Sequence, residues 1–145
     1  MREWTEYLAE PLSDEDQCVQ AMADASPTKW HLGHTSWFFE TVVLRQFWPE
    51  LPVYDEQFLY LFNSYYESLG PRQPRPQRGL ITRPSVAQVT AYRTYVDELI
   101  HEFVHRCDAS LWPQALQAIE LGLNHEQQHQ ELILTDVKYL LHQNP

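Results

Sequence analysis

Apolar residues recur along the chain at intervals of three and four, the spacing of helices that bury one face, and no stretch alternates as a strand would. The first predicted helix covers Trp4 to Met22, with Trp4, Leu8, Val19 and Met22 as inward candidates and an interruption at Pro11 and Leu12. Ser26-Pro27 is a helix start signal, a capping serine followed by proline at the first helical position. A second helix is then expected from Thr28 to Phe47, stopping near Trp48-Pro49. Tyr54 to Leu69 is a shorter, tyrosine-rich stretch expected to be partly helical. Gly70 to Gly79 holds three prolines and three arginines and no apolar residue, so it reads as a stiff basic loop without regular structure. Ser85 and Gln88 form a Ser-x-x-Gln capping box that opens the third helix, Val86 to Cys107. Ser110, with Pro113 just inside, opens a long fourth helix that ends before Asn144-Pro145. Four such helices in one chain of 145 residues predict a single all-α domain, an antiparallel four-helix bundle, with the proline/arginine-rich loop between helices two and three.

The fourth helix breaks its own pattern. Its stripe of Trp112, Leu116, Ile119 and Leu123 resumes with Ile133, Val137 and Leu141, and eight consecutive polar residues, Asn124 to Glu131, lie between. At helical pitch Glu126 and Gln130 fall on the core line itself, with His125 and His129 to one side. Polar groups in a bundle core need partners, a metal or a wet cavity. A wide polar surface face or a hydrogen-bonded core network is the plainer alternative.

The string His-Glu-x-x-His occurs twice, at His101–His105 and at His125–His129, and residues four apart share a helix face. Helix three separates the two, because Val89, Tyr92, Val96, Leu99, Ile100 and Phe103 form its stripe and His101 and His105 fall almost opposite, toward solvent. For the second string a zinc-protease reading is poorly supported. Only Glu131, Asp136 and His142 lie downstream as third ligands, and no edge strand is available to hold a peptide. Helix two offers a third imidazole instead. His34 lies between Trp30 and Trp37 on an aromatic face, whereas His31 is turned away and is the weaker candidate. A pair from one helix and a single histidine from another can build a three-histidine site with open positions, although a satisfied core histidine is the commoner fate of such a residue.

Composition narrows the partners. The formal charge is −10, from 20 acidic and 10 basic residues, and such a field repels nucleic acid. Cys18 and Cys107 form no metal-type pair and no disulfide framework, no signal-peptide region follows Met1, and no apolar run approaches the roughly 18 residues of a membrane span. A cytoplasmic location, with no membrane partner, is expected.

The segments Ser26–Glu40, Leu61–Glu67, Gly70–Gly79 and Asn124–Glu131 together closely resemble the N-terminal, DinB-like domain of the ergothioneine-biosynthesis sulfoxide synthases, and the similarity extends over essentially the whole chain. The resemblance implies a DinB-like four-helix bundle in which His34, His125 and His129 hold a non-haem iron(II). It implies an oxygen-dependent reaction that joins the sulfur of cysteine or γ-glutamylcysteine to the imidazole of hercynine and oxygenates that sulfur. It assigns Gln128 to the substrate imidazole, and Arg72 and Arg75 to the carboxylate of the thiol substrate. Guanidinium forks on a proline-stiffened segment suit that last role.

Family enzymes continue into a second domain resembling the formylglycine-generating fold, which supplies the catalytic tyrosine, so the catalytic residues proper are not assigned here. A second domain or chain is therefore expected to complete the site, and the isolated chain is not expected to make the sulfoxide. Two further readings stand beside this one: a stand-alone DinB-like thiol transferase using zinc or nickel, and a non-catalytic helical module that binds a partner chain. Three histidines accept iron, nickel or zinc alike, so the ligand set does not choose the metal.

Overall fold

The computed structural model describes residues 1–65 and 70–143. The described residues hold α1 (Arg2–Ala9), α2 (Thr28–Phe38), α3 (Arg45–Phe47), α4 (Glu56–Leu61), α5 (Val86–Arg106) and α6 (Trp112–His142), and no strand. A π-helical segment, Phe39–Leu44, joins α2 to α3, so one continuous rod runs from Thr28 to Phe47. That rod, α5, α6 and the short α1 make a helical bundle, as the pattern predicts, and none of the described helices is long and apolar enough to cross a membrane.

The rod is the centre of the molecule. Every residue of α2 is buried, and it packs on α5, α6 and α1. Its apolar members, Trp30, Leu32, Trp37 and Phe38, join a core with Val89, Tyr92, Val96, Leu99 and Phe103 of α5, the stripe read from the sequence. Two glycines set how closely the neighbours approach. A Cβ on Gly33 would stand 2.3 Å from the Phe62 ring, and one on Gly122 would stand 2.7 Å from the Phe39 ring. Glycine at these positions allows the close packing of α2 on the chain after α4, and of the π turn on α6.

Several local expectations are corrected. Helix one ends at Ala9, and the chain turns through a 3-10 segment, Asp16–Cys18, because Pro11 cannot continue the ladder. Trp4, Val19 and Met22 are exposed, and the small residues Thr5 and Ala9 face inward, letting α1 lie close. Trp4 stacks instead on Tyr7 at the surface, with centroids 4.8 Å apart. Ser26 does not cap α2. Its N–H donates to Asp136 and its hydroxyl accepts from Arg78. Ser110 does not cap α6 either, being held by Asp108. The Ser85/Gln88 capping box is present with both of its hydrogen bonds. In α6 the buried line is Ala115, Gly122, Glu126, His129, Ile133 and Leu140, whereas Leu116 and Leu141 are exposed. The basic loop is not wholly irregular, since Arg75–Leu80 coils as a 3-10 helix. Of the tyrosine-rich stretch, only Glu56–Leu61 is helical among the described residues, and residues 66–69 lie outside them.

Candidate metal centre

Glu126, the glutamate on the core line of α6, ties α6 to α1 and α5 beside the site. Glu126 is fully buried and held from the side away from the cavity: Arg93 Nη2 donates to it at 2.6 Å, Arg2 Nη1 at 2.9 Å and the Thr5 hydroxyl at 2.5 Å. Burial alone would raise its pKa, but the two guanidiniums and the hydroxyl outweigh it and hold the carboxyl below its ordinary range. Gln130, also on that line, donates to the Thr5 hydroxyl and to the Met1 carbonyl. Glu126 is therefore a structural anion committed to two arginines. It is not a base beside a metal, which removes the protease reading.

On the adjoining face of α6, His125 and His129 meet His34 of α2, and one donor atom from each of the three lies within 4.8 Å of the others. His34 is clamped as an aromatic sandwich, its ring stacked on Trp30 at 4.5 Å and on Trp37 at 5.6 Å. Its Nδ1 is 2.6 Å from the Phe62 carbonyl, which can only accept, so Nδ1 carries the proton and Nε2 presents a lone pair. That Nε2 faces Nε2 of His125 at 3.2 Å. Two metal–nitrogen bonds of about 2.1 Å, opened by about 100°, span nearly that distance. The His125 ring packs on Phe38 at 4.2 Å, and its Nδ1 is buried without a hydrogen-bond partner. Behind His129 stands His31, with Nδ1 to Nδ1 at 2.8 Å, and behind His31 stands Asp136 at 3.0 Å.

All three rings are kept neutral. Burial brings His125 down to about 4 against a small opposing pull from Glu126. Burial also lowers His34 and His129, aided by the neighbouring imidazoles. Neutral imidazoles offer lone pairs to a cation at neutral pH without first losing a proton. The donor set fits a divalent transition metal: three nitrogens from one side, with the cavity on the other.

The cavity above the histidines has a volume of about 340 Å³ and is lined by Ser26, Trp30, Ser64, Tyr65, Arg75, Arg78, Gln128 and Leu132 as well as the imidazoles. Gln128 is on the exposed rim, one turn from the His125 position. Arg75 reaches the cavity and touches the Tyr65 hydroxyl at 3.2 Å. Arg72 does not line it. Its guanidinium donates to the Ser64 carbonyl, lies 5.4 Å over the Tyr65 ring and borders a neighbouring cavity with Arg75 and Arg78. Sequence reasoning missed Arg78. Its guanidinium lies 3.3 Å over the Trp30 ring and donates to Ser26 Oγ and Ser64 Oγ. Burial and the nearby Arg75 charge lower it to about 9, so it stays a cation at neutral pH. The spacing carried a signal: in a 3-10 helix residues three apart eclipse, which places Arg75 and Arg78 on one side. His101 and His105 are exposed on α5, as their position opposite its apolar stripe predicts.

The model of the DinB superfamily matches residues 1–133. The chain belongs to the DinB superfamily. DinB domains are helical bundles and bind metals, in keeping with the architecture here and with a histidine triad able to hold an ion. No curated protein matches the chain closely. In this DinB chain the triad is built from two of the bundle's helices, and the third wall of the cavity comes from the segment between α4 and α5.

Proposed function

We propose that the chain is the iron(II)-binding domain of an oxygen-dependent sulfoxide synthase, which joins a cysteine or γ-glutamylcysteine thiol to hercynine in ergothioneine biosynthesis. One observation carries this reading: three neutral imidazoles converge at the floor of a cavity whose rim bears two arginines and an exposed glutamine. The resemblance in the four sequence motifs supplies the substrates. His34, His125 and His129 hold the metal, which when bound contributes Lewis acidity toward a thiol and one-electron redox chemistry. Arg75 and Arg78 offer fixed positive charge at hydrogen-bonding range of the cavity, suited to the carboxylate of an amino-acid thiol. Gln128, with a carbonyl and an amide on one side chain, can match either tautomer of a substrate imidazole. Arg72 assists less directly, by bracing Ser64 beneath that rim. A second domain or chain covers the open side and supplies the proton-transfer group.

The test is anaerobic iron(II) titration of the purified chain, followed by an assay with hercynine, thiol and oxygen, with and without a candidate second domain. Stoichiometric iron uptake, and sulfoxide formed only when that domain is present, is the expected result. Uptake of zinc or nickel with thiol transfer that needs no oxygen would favour the stand-alone transferase. A chain that retains no metal would leave only a helical partner-binding module.

A further inference from the structure

His31 and Asp136 are not in the triad, and neither has a role in the reading above. They nevertheless form a continuous hydrogen-bonded chain that ends on a metal ligand. Ser26 N–H donates to Asp136 Oδ2 at 2.9 Å, and His31 Nε2 lies 3.0 Å from that same oxygen. His31 Nδ1 lies 2.8 Å from Nδ1 of His129. His31 is 2% exposed and His129 6%, so bulk water does not replace these partners.

The protons along this chain can be placed by elimination. An ionised carboxylate only accepts, so His31 Nε2 carries the hydrogen that points at Asp136. A neutral His31 then has a bare lone pair on Nδ1. The 2.8 Å contact with His129 is a hydrogen bond only if His129 Nδ1 is the donor. With its proton committed there, the lone pair of His129 is on Nε2. From these contacts we infer that His31 and Asp136 are positioning residues: together they fix His129 as the Nδ1–H tautomer, hold its ring and leave Nε2 as its metal-binding atom. His34 is treated the same way by the Phe62 carbonyl, whereas His125 Nδ1 has no partner. The relay gives His129 an anion-backed acceptor in place of a carbonyl, which raises the basicity of the nitrogen offered to the metal.

This inference rests on the triad as the metal centre, and the experiment separates the two. Long-range proton–nitrogen NMR of the metal-free full chain reads each histidine's tautomer directly. The expected result is Nδ1–H for His129 and Nε2–H for His31; Nε2–H at His129 would overturn the relay whatever the metal does. Zinc(II) affinity is then measured by competition with a chromogenic chelator. His31→Leu should weaken binding 10–100-fold. His31→Gln, whose amide oxygen can accept from His129, should recover most of that loss. Asp136→Asn, nearly isosteric and free of any cavity, should show a smaller weakening in the same direction, which keeps the test intact if His31→Leu folds poorly. Equal loss in His31→Leu and His31→Gln would reduce His31 to a packing residue, and unchanged affinity in all three variants would also overturn the relay. No zinc uptake by the wild-type chain would overturn the metal centre instead, and the tautomers would still decide the relay.

Discussion

Glu126 and His125 are neighbours in the chain with opposite surroundings. The glutamate is locked among Arg2, Arg93 and Thr5, while the histidine has an unsatisfied ring nitrogen and faces the cavity. Removing one partner of a buried ion cluster leaves an uncompensated charge. Arg93→Met is therefore expected to cost about 3–5 kcal/mol in urea unfolding. The exposed Arg106–Glu102 pair is the control, and Arg106→Ala should cost less than about 1 kcal/mol. The same contrast applies to the histidines. His129→Ala should abolish metal retention measured by elemental analysis, and a double His101→Ala/His105→Ala variant should retain metal like the wild type. Equal loss in both would mean that retention comes from surface imidazoles. The polar break from Asn124 to Glu131 pointed to a site in the sequence, because periodicity marks a polar group on an apolar line. It did not say which polar residue faced which way: Glu126 found arginines from α1 and α5, contacts that no local pattern encodes.

At the scale of elements, the long helices were readable and the short ones were not. Val86–Arg106 follows from its apolar stripe and the Ser85/Gln88 capping box, and the Thr28–Phe47 rod from the start signal at Ser26-Pro27 and the stop near Trp48-Pro49. The end of α1 and the coiling of Arg75–Leu80 were hidden, because elements of eight and six residues give periodicity too little to work on. In α6 the buried line falls one position from the leucine stripe, at Ala115 and Gly122, because close approach of the π turn selects small residues over large ones. Gly33→Ala tests the same principle in α2. It must push aside the Phe62 ring, at an expected cost of about 1–3 kcal/mol. Because the Phe62 carbonyl holds His34, zinc affinity should fall with it; stability lost without affinity would uncouple the two.

The π turn carries its own pH signature. Glu40 in it accepts from Tyr54 N–H and from the Tyr92 hydroxyl, yet burial outweighs both and raises its carboxyl pKa. The folded state thus holds this proton where the unfolded chain has released it. That contribution is complete below the ordinary value of 4.5 and is lost as pH rises through the raised one. Thermal melts across that range should show Glu40→Gln gaining on the wild type as pH increases, and parallel profiles would count against a strained carboxylate.

For the whole molecule, the aromatic core and the buried ion cluster hold the bundle without any help from the triad. Chelation should therefore leave the helical circular dichroism intact. Metal at a hundredfold excess over its Kd should add about 2.7 kcal/mol, seen as a rise of several degrees in Tm. Loss of helix on chelation would instead make the ion a structural one. In a chain of net charge −10, the three arginines at 72, 75 and 78 gather positive charge beside the cavity.

The docking of Arg2 has a practical side. A purification handle fused ahead of Met1 emerges next to Asp97 and Gln130, over one of the two guanidiniums that neutralise Glu126. Handled and unhandled preparations can then differ at His125, a residue 123 positions further along the chain from Arg2 and one peptide bond from that glutamate. Cleaving the handle before spectroscopy keeps that artefact out of the imidazole signals.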